Sequence, residues 1–275
     1  MKTTVYNDLY TPEGESATGS EWNVYPRPQL VRDSFFSLNG SWDFTTGDGK
    51  WENITVPFPP ESLLSGIHRH MGKRPRLIYK KDFALPEGFV RDRVILHFGA
   101  VDQIADIYVN QIHLCHHVGG YESFTVDITD ALQEDNELIV RAVDDLRTPL
   151  LPYGKQTLKR GGMWYTPVSG IWQTVWLESV PERYIQKLNI ENRGYTVTIS
   201  TEPKMEGKVI VPELGEFTLH NGSVTITPEN PLLVLFKQVI PYDYWYMYMI
   251  VPIVLVYLLI VYAPQLRQAW KARKA

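Results

Sequence analysis

The residues in this 275-residue sequence that could carry chemistry fall into three groups. Carboxylates fit for proton transfer stand at Glu61, Asp102, Glu122, Asp144 and Asp145, but they sit at turns and strand ends, where such side chains cap backbone groups. His113, Cys115, His116 and His117 combine imidazole and thiolate, the ligand types zinc prefers. Neighbouring strand residues point to opposite faces, so at most His113, Cys115 and His117 would share a side, and the run reads as an edge hairpin with surface histidines. His68 and His70, in a loop with Arg69 and Lys73, read the same way. No catalytic pair, no metal and no cofactor is expected. The third group is the stretch from Lys159 to Pro181. Glycines at 161, 162 and 170 and Pro167 surround Met163, Trp164 and Tyr165, and a run of alternating large apolar residues follows. That pattern predicts an aromatic loop on glycine hinges delivering a core strand.

The elements that must position this loop are strands. Val94, Leu96 and Phe98 alternate with Arg93 and His97; Ala105, Ile107 and Val109 alternate with Asp106, Tyr108 and Asn110; Phe124, Val126 and Ile128 alternate with Thr125, Asp127 and Thr129. Leu138 to Val143 follows a turn at residues 133–136, and Asn39-Gly40 introduces the run ending at Phe44. Successive short runs of period two separated by turn residues mark an antiparallel sandwich. Trp172, Val175 and Leu177 are expected to supply core contacts, with Trp42 in the same sandwich. Residues 1–30 are polar and proline-marked and are expected to wrap the surface. A net charge of −4 and a pI near 6.0 argue against a nucleic-acid partner, which would require a basic excess. The single cysteine, Cys115, cannot form an internal disulfide.

Several segments, in order, resemble the N-terminal domain of the family 2 glycoside hydrolases of the β-galactosidase and β-glucuronidase type. They are Pro28 to Phe44, Val56-Pro57 with Glu61, Tyr79 to Phe83, Phe98 to Asp102, Ala105 to Asn110, Gly119-Gly120-Tyr121 with Phe124, Asp127-Ile128-Thr129, and Ser169-Gly170-Ile171. The resemblance implies an all-β protein with a galactose-binding-like jelly roll at 1–182. A partial immunoglobulin-like sandwich would follow at 183–231, with strands at Tyr184 to Ile190, Tyr195 to Ser200, Lys208 to Val211, Glu216 to Leu219 and Val224 to Thr227. It also implies that the loop holding Arg160, Met163, Trp164 and Tyr165 faces a sugar site, with Glu61, Gly162, Trp164 and Tyr165 as its contacts. Gly162 takes the place where the β-galactosidases carry a sugar-touching aspartate if the Met163-Trp164 pair anchors the match, Trp164 if the two extra residues before Ser169 are placed elsewhere, and Pro59 stands near their asparagine. Both glutamates of family 2 hydrolysis come from a catalytic barrel of roughly 250 residues, which has no counterpart in this sequence. The leading reading is a truncated family 2 glycosidase-like protein that retains the sugar-binding jelly roll and lacks catalysis. Three others stay open: an active enzyme whose barrel lies on another chain, a membrane-anchored module for a carbohydrate ligand, and a gene remnant.

After a linker at 232–243, residues 244–266 contain no charged side chain and approach the length that spans a bilayer. Tyr and Trp gather at the start, and Arg267, Lys271, Arg273 and Lys274 lie in a basic tail at 267–275. A single transmembrane helix is expected. The basic tail by itself favours a cytoplasmic C-terminus and an external jelly roll, whereas the absence of a secretory signal and the lone cysteine favour a cytoplasmic jelly roll, the orientation expected.

Overall fold

The computed structural model describes residues 12–17, 23–27, 30–72, 74–145, 151–194, 196–211 and 214–227. The expected linker 232–243, membrane helix 244–266 and tail 267–275 lie outside the described residues. Among those described, no helix is long and apolar enough to cross a membrane. The fold is an all-β sandwich, and the chain divides into two units between Tyr184 and Ile185.

In the first unit a short helix α1 (Pro12–Ser16) precedes twelve strands: β1 (Phe35–Ser37), β2 (Gly40–Thr45), β3 (Glu52–Val56), β4 (Arg76–Phe83), β5 (Arg93–Phe98), β6 (Val101–Asp102), β7 (Ile104–Val109), β8 (Ile112–Val118), β9 (Phe124–Asp127), β10 (Asn136–Val143), β11 (Gly170–Ile171) and β12 (Val175–Val180). One sheet runs β1-β12-β5-β9 and the other β3-β2-β4-β10-β7-β8, while β11 pairs with β6. Every pairing is antiparallel. The alternation that made these segments legible is what buries them: Leu138, Val140 and Ala142 on β10 join Val94, Leu96 and Phe98 on β5 and Trp42 and Phe44 on β2 in one core. Non-directional burial of these faces drives the two sheets together.

Strand β12 is buried along all six residues. Val175 and Leu177 enter the core, and the other face carries Trp176 and Glu178. That face is covered from the N-terminal side. Arg27 Nη2 and Arg32 Nε lie 2.5 and 2.6 Å from the two oxygens of Glu178, the Tyr25 hydroxyl donates to the same carboxylate, and Arg27 sits over the Trp176 ring. The described part of the N-terminal segment thus wraps the sheet as expected. Burial works against the Glu178 charge, yet the His97 ring 3.2 Å away and bonds from Trp176 and Tyr25 outweigh it and hold the carboxyl well below its usual range. His97, stacked on Trp176 at 4.7 Å, is pushed down by its own burial, with Glu178 opposing. Arg27 and Arg32 supply the permanent counter-charge.

The expectation for Trp172 is corrected. It lies in the link between β11 and β12, half-buried, with Nε1 donating to Gly120 O at 2.8 Å and its ring edge-on to Tyr121. Among the described residues the fully buried tryptophans are Trp42 and Trp176.

The second unit holds a sheet β13 (Lys187–Arg193), β14 (Thr196–Glu202) and β17 (Ser223–Ile226), and a hairpin of β15 (Gly207–Val211) and β16 (Gly215–Leu219). Its core rests on Val197, Ile199 and Ile226, with Leu188, Val209, Phe217 and Val224 packed against them.

Candidate functional site

The connection from β10 to β11 carries the aromatic loop. It doubles back on itself. Tyr165 N donates to Lys155 O and Thr157 N to Tyr165 O, both at 2.9 Å, and Gly161 and Trp164 exchange backbone bonds at 3.3 and 3.1 Å. The reversal needs a positive φ at Gly162, +58°, a conformation glycine adopts without steric cost. On this folded-back loop Leu158, Met163, Trp164 and Tyr165 are 40, 57, 47 and 60% exposed. Large apolar side chains clustered on a surface mark contact sites more often than isolated ones do.

Beneath the loop is a buried polar foot. Gln156 is the pin. Its Nε2 donates to Asp102 Oδ2 at 3.0 Å and to the Tyr121 hydroxyl at 3.2 Å, while its Oε1 accepts from Val168 N at 2.6 Å. A second tie lies just beyond, where Ser169 N donates to Glu61 Oε2 at 3.2 Å and Ser169 Oγ sits 2.8 Å from Glu61 Oε1 and 2.9 Å from Asp144 Oδ2. Next in the chain, Gly170 has φ +71°, and a Cβ there would fall 2.2 Å from the Tyr79 hydroxyl and 2.9 Å from Leu77 Cδ1. Only glycine lets the chain turn this closely against β4. Two ends of one loop are therefore clamped to the sandwich while its tip stays in solvent.

Three of the carboxylates are shifted together. Burial pushes Glu61 up to about 7, with the Ser169 bonds opposing and Asp144 adding. Burial and the neighbouring Asp102 charge push Asp144 to about 7. Asp102 rises to about 6 from burial, opposed by Gln156 and reinforced by Glu61. The reading of the five acidic residues as turn formers and strand-end caps leaves out their burial: Asp102 and Asp144 are each 1% exposed and cluster with Glu61. Glu122 does remain exposed.

The four sugar-contact residues anticipated from the sequence split in two. Gly162, Trp164 and Tyr165 lie together at the exposed end of the loop, whereas Glu61 sits at its buried foot, bonded to Ser169. Gln156 escaped sequence reasoning, and Asp102, Asp144 and Ser169, though singled out there, were not joined into one cluster with Glu61. Their signal was present in the polar pairs Asp102-Gln103 and Asp144-Asp145 at the ends of strongly apolar strands, where buried polar groups require partners.

Chemically, the foot is built to hold backbone. Its carboxylates accept from Ser169 and Gln156 and are closed off by packing, with Asp102 Oδ1 only 2.4 Å from where a Cβ on Gly120 would stand. The histidine run also departs from simple alternation. A register shift between Ile107 and Tyr108 opposes Tyr108 to His113 and Ile107 to Cys115, so Leu114 is the extra residue. His113 Nε2 and His116 Nδ1 consequently both reach Asp106 Oδ1, at 3.1 and 2.8 Å, on the exposed edge strand. Among the described residues no set of three His, Cys, Asp or Glu side chains is disposed to hold a metal ion.

Comparison with known proteins agrees with the sheet architecture. Residues 68–150 match the family model described as glycosyl hydrolase 2 galactose-binding domain-like. That segment lies within the first unit and is similar to a family 2 galactose-binding-like domain. A β-glucuronidase of Bacteroides fragilis is 26% identical over 207 residues, 72% of this chain and 27% of that protein. A β-galactosidase of Thermoanaerobacter pseudethanolicus is 24% identical over 184 residues, 63% of this chain and 24% of that protein. The fold aligns with the solved β-glucuronidase of Ruminococcus gnavus at a TM-score of 0.54 and 19% identity, over 76% of this chain and 40% of that one. The chain thus spans about a quarter of the length of these curated relatives.

Proposed function

We propose that this chain binds a β-glycoside through the loop at residues 155–166 and does not itself cleave it. The observation that carries the reading is the exposure of Met163, Trp164 and Tyr165 on a loop whose base is fixed by Gln156 and Ser169. A ring on a pre-fixed loop loses little conformational freedom when a ligand arrives, which favours affinity. Printed names of the relatives, β-glucuronidase and β-galactosidase, suggest a glucuronide or a galactoside as the ligand. Hydrolysis with retention requires two carboxyl groups about 5 Å apart flanking a bound sugar. Glu61, Asp102 and Asp144 are instead engaged in holding the loop, so in this reading the glutamate pair of a family 2 reaction comes from a catalytic barrel elsewhere, on a partner chain or in further sequence. The jelly-roll and partial immunoglobulin-like assignments belong to the same proposal. So does single-pass anchoring by residues 244–266 with the sandwich in the cytoplasm.

Chromogenic β-galactosides and β-glucuronides test it. The purified chain is expected to release no chromophore while the same glycosides alter its tryptophan fluorescence. Turnover that persists through purification, or unchanged fluorescence at millimolar ligand, refutes the proposal.

A further inference from the structure

Ser169 Oγ lies 2.8 Å from Glu61 Oε1 and 2.9 Å from Asp144 Oδ2. A serine hydroxyl has one hydrogen, so it donates to one of these oxygens only. The other contact then needs its hydrogen from the carboxyl side; two ionised carboxylates would leave an oxygen facing the hydroxyl lone pairs at hydrogen-bond distance. Ser169 N–H is already committed to Glu61 Oε2. The geometry therefore calls for an extra proton between the acids.

We propose that the Glu61–Ser169–Asp144 bridge holds one proton in mildly acidic solution and that losing it as pH rises through neutrality loosens the foot of the 155–166 loop, making the presentation of Trp164 and Tyr165 pH-dependent. The surroundings support this from every packed element. Asp102, at the end of β6, faces the pair, and its Oδ1 has no hydrogen-bond partner among the described residues; nor has Asp144 Oδ1. Asp145 follows Asp144 and adds negative charge to it; Arg74, largely exposed, pairs with Asp145 at 3.5 Å. Tyr79 on β4 is fully buried and its hydroxyl stays protonated, raised by burial and by the Glu61 charge. Tyr121 meets the group through Gln156. Burial raises both bridge acids, and their acidic neighbours act in the same sense. When the proton leaves to solvent, Glu61 and Asp144 repel across Ser169 and one withdraws. The bond from Ser169 N to Glu61 is the tie that this movement breaks, at the point where the loop rejoins β11. Nothing in this argument depends on the ligand being a sugar.

The full chain labelled with 5-fluorotryptophan tests it by fluorine NMR, the Trp164 line being assigned from Trp164→Phe. Between pH 5.5 and 9 that line is expected to move or sharpen with a midpoint near pH 7 in the wild type. In Glu61→Gln the transition is expected to vanish, because the introduced side-chain amide supplies a permanent N–H to Ser169 Oγ. Asp144→Asn gives an independent second variant with the same expectation if the first folds poorly. An invariant wild-type line overturns the proposal, as does a transition that survives in both variants. A transition abolished by a chelator also overturns it, since a cation would then be holding the acids together.

Discussion

Replacing Gln156 with alanine removes the loop's pin, and the cost can be worked from its three bonds. Asp102 Oδ2 and the Tyr121 hydroxyl each lose a donor, and Val168 N, 2.6 Å from Gln156 Oε1, loses its acceptor. A buried group left unsatisfied costs about 1–3 kcal/mol, and these share one network, so their sum is not additive; about 3 kcal/mol is the expected total. For a unit of this size, 1 kcal/mol moves the melting temperature by about 2–4 °C, so a fall of about 6–12 °C is expected in a calorimetric scan. Tryptic cleavage after Lys155, Lys159 and Arg160 should accelerate in parallel, because the loop is released from its base. Gln156→Glu separates charge from size. It places another carboxylate beside Asp102, which burial already raises to about 6. Each acid raised in the folded state makes that state bind more protons than the unfolded one, so stability falls as pH rises through the shifted range. The glutamate variant should therefore approach the wild type near pH 5 and drop furthest behind above pH 7. A melting temperature for Gln156→Ala within about 1 °C of the wild type, with unchanged cleavage, would refute the reasoning that this residue fixes the loop.

Gly170→Ala should cost about 2–4 kcal/mol by urea denaturation, combining a left-handed backbone with a Cβ driven into Tyr79 and Leu77; an unchanged midpoint contradicts the close approach. Glu178→Gln should lose about 3 kcal/mol at pH 7, because Arg27 and Arg32 lose their buried counter-charge. The Glu178 carboxyl is depressed in the folded protein, so the wild type's advantage is full above its usual 4.5 and fades as pH falls below it. Parallel pH-stability curves for the two proteins would exclude this. Fractionation checks residues 244–266: the full chain should sediment with membranes and be released by detergent but not by high salt, and recovery in the soluble fraction after salt washing removes the anchor.

Much of the fold was legible because alternation and burial have one cause. Strand β5 falls at Arg93 to Phe98 as its alternation predicts, and β15 and β16 each begin one residue before their predicted starts. Where side chains are not selected by a core, the reading slipped. The stretch from Tyr184 was read as extended, but β13 begins at Lys187 and continues through Asn192 and Arg193, polar residues held by pairing with β14. The bulge on β8 is invisible to a strict period of two, and it is what brings His113 and His116 to one oxygen. The expectation that Trp172 joins Val175 and Leu177 in the core treats all three as one alternating apolar run. The chain there is a link and not yet a strand, so alternation counted from Trp172 does not hold, and Trp176 is the buried ring. Exposure of Trp164 and Tyr165 was legible from the glycines around them. The foot was not, since Glu61 and Ser169 stand 108 positions apart and only the closed sandwich joins them.

Isothermal titration of the purified chain and of Trp164→Ala with methyl β-glucuronide and methyl β-galactoside addresses the binding claim most directly. The wild type is expected to release saturable heat with at least one of them, and Trp164→Ala to lose about fivefold or more in affinity, since a stacked aromatic contributes about 1 kcal/mol or more, while melting within about 1 °C of the wild type. Equal affinity in the two proteins, or loss of affinity and melting temperature together, would contradict the assignment of the loop as the binding surface.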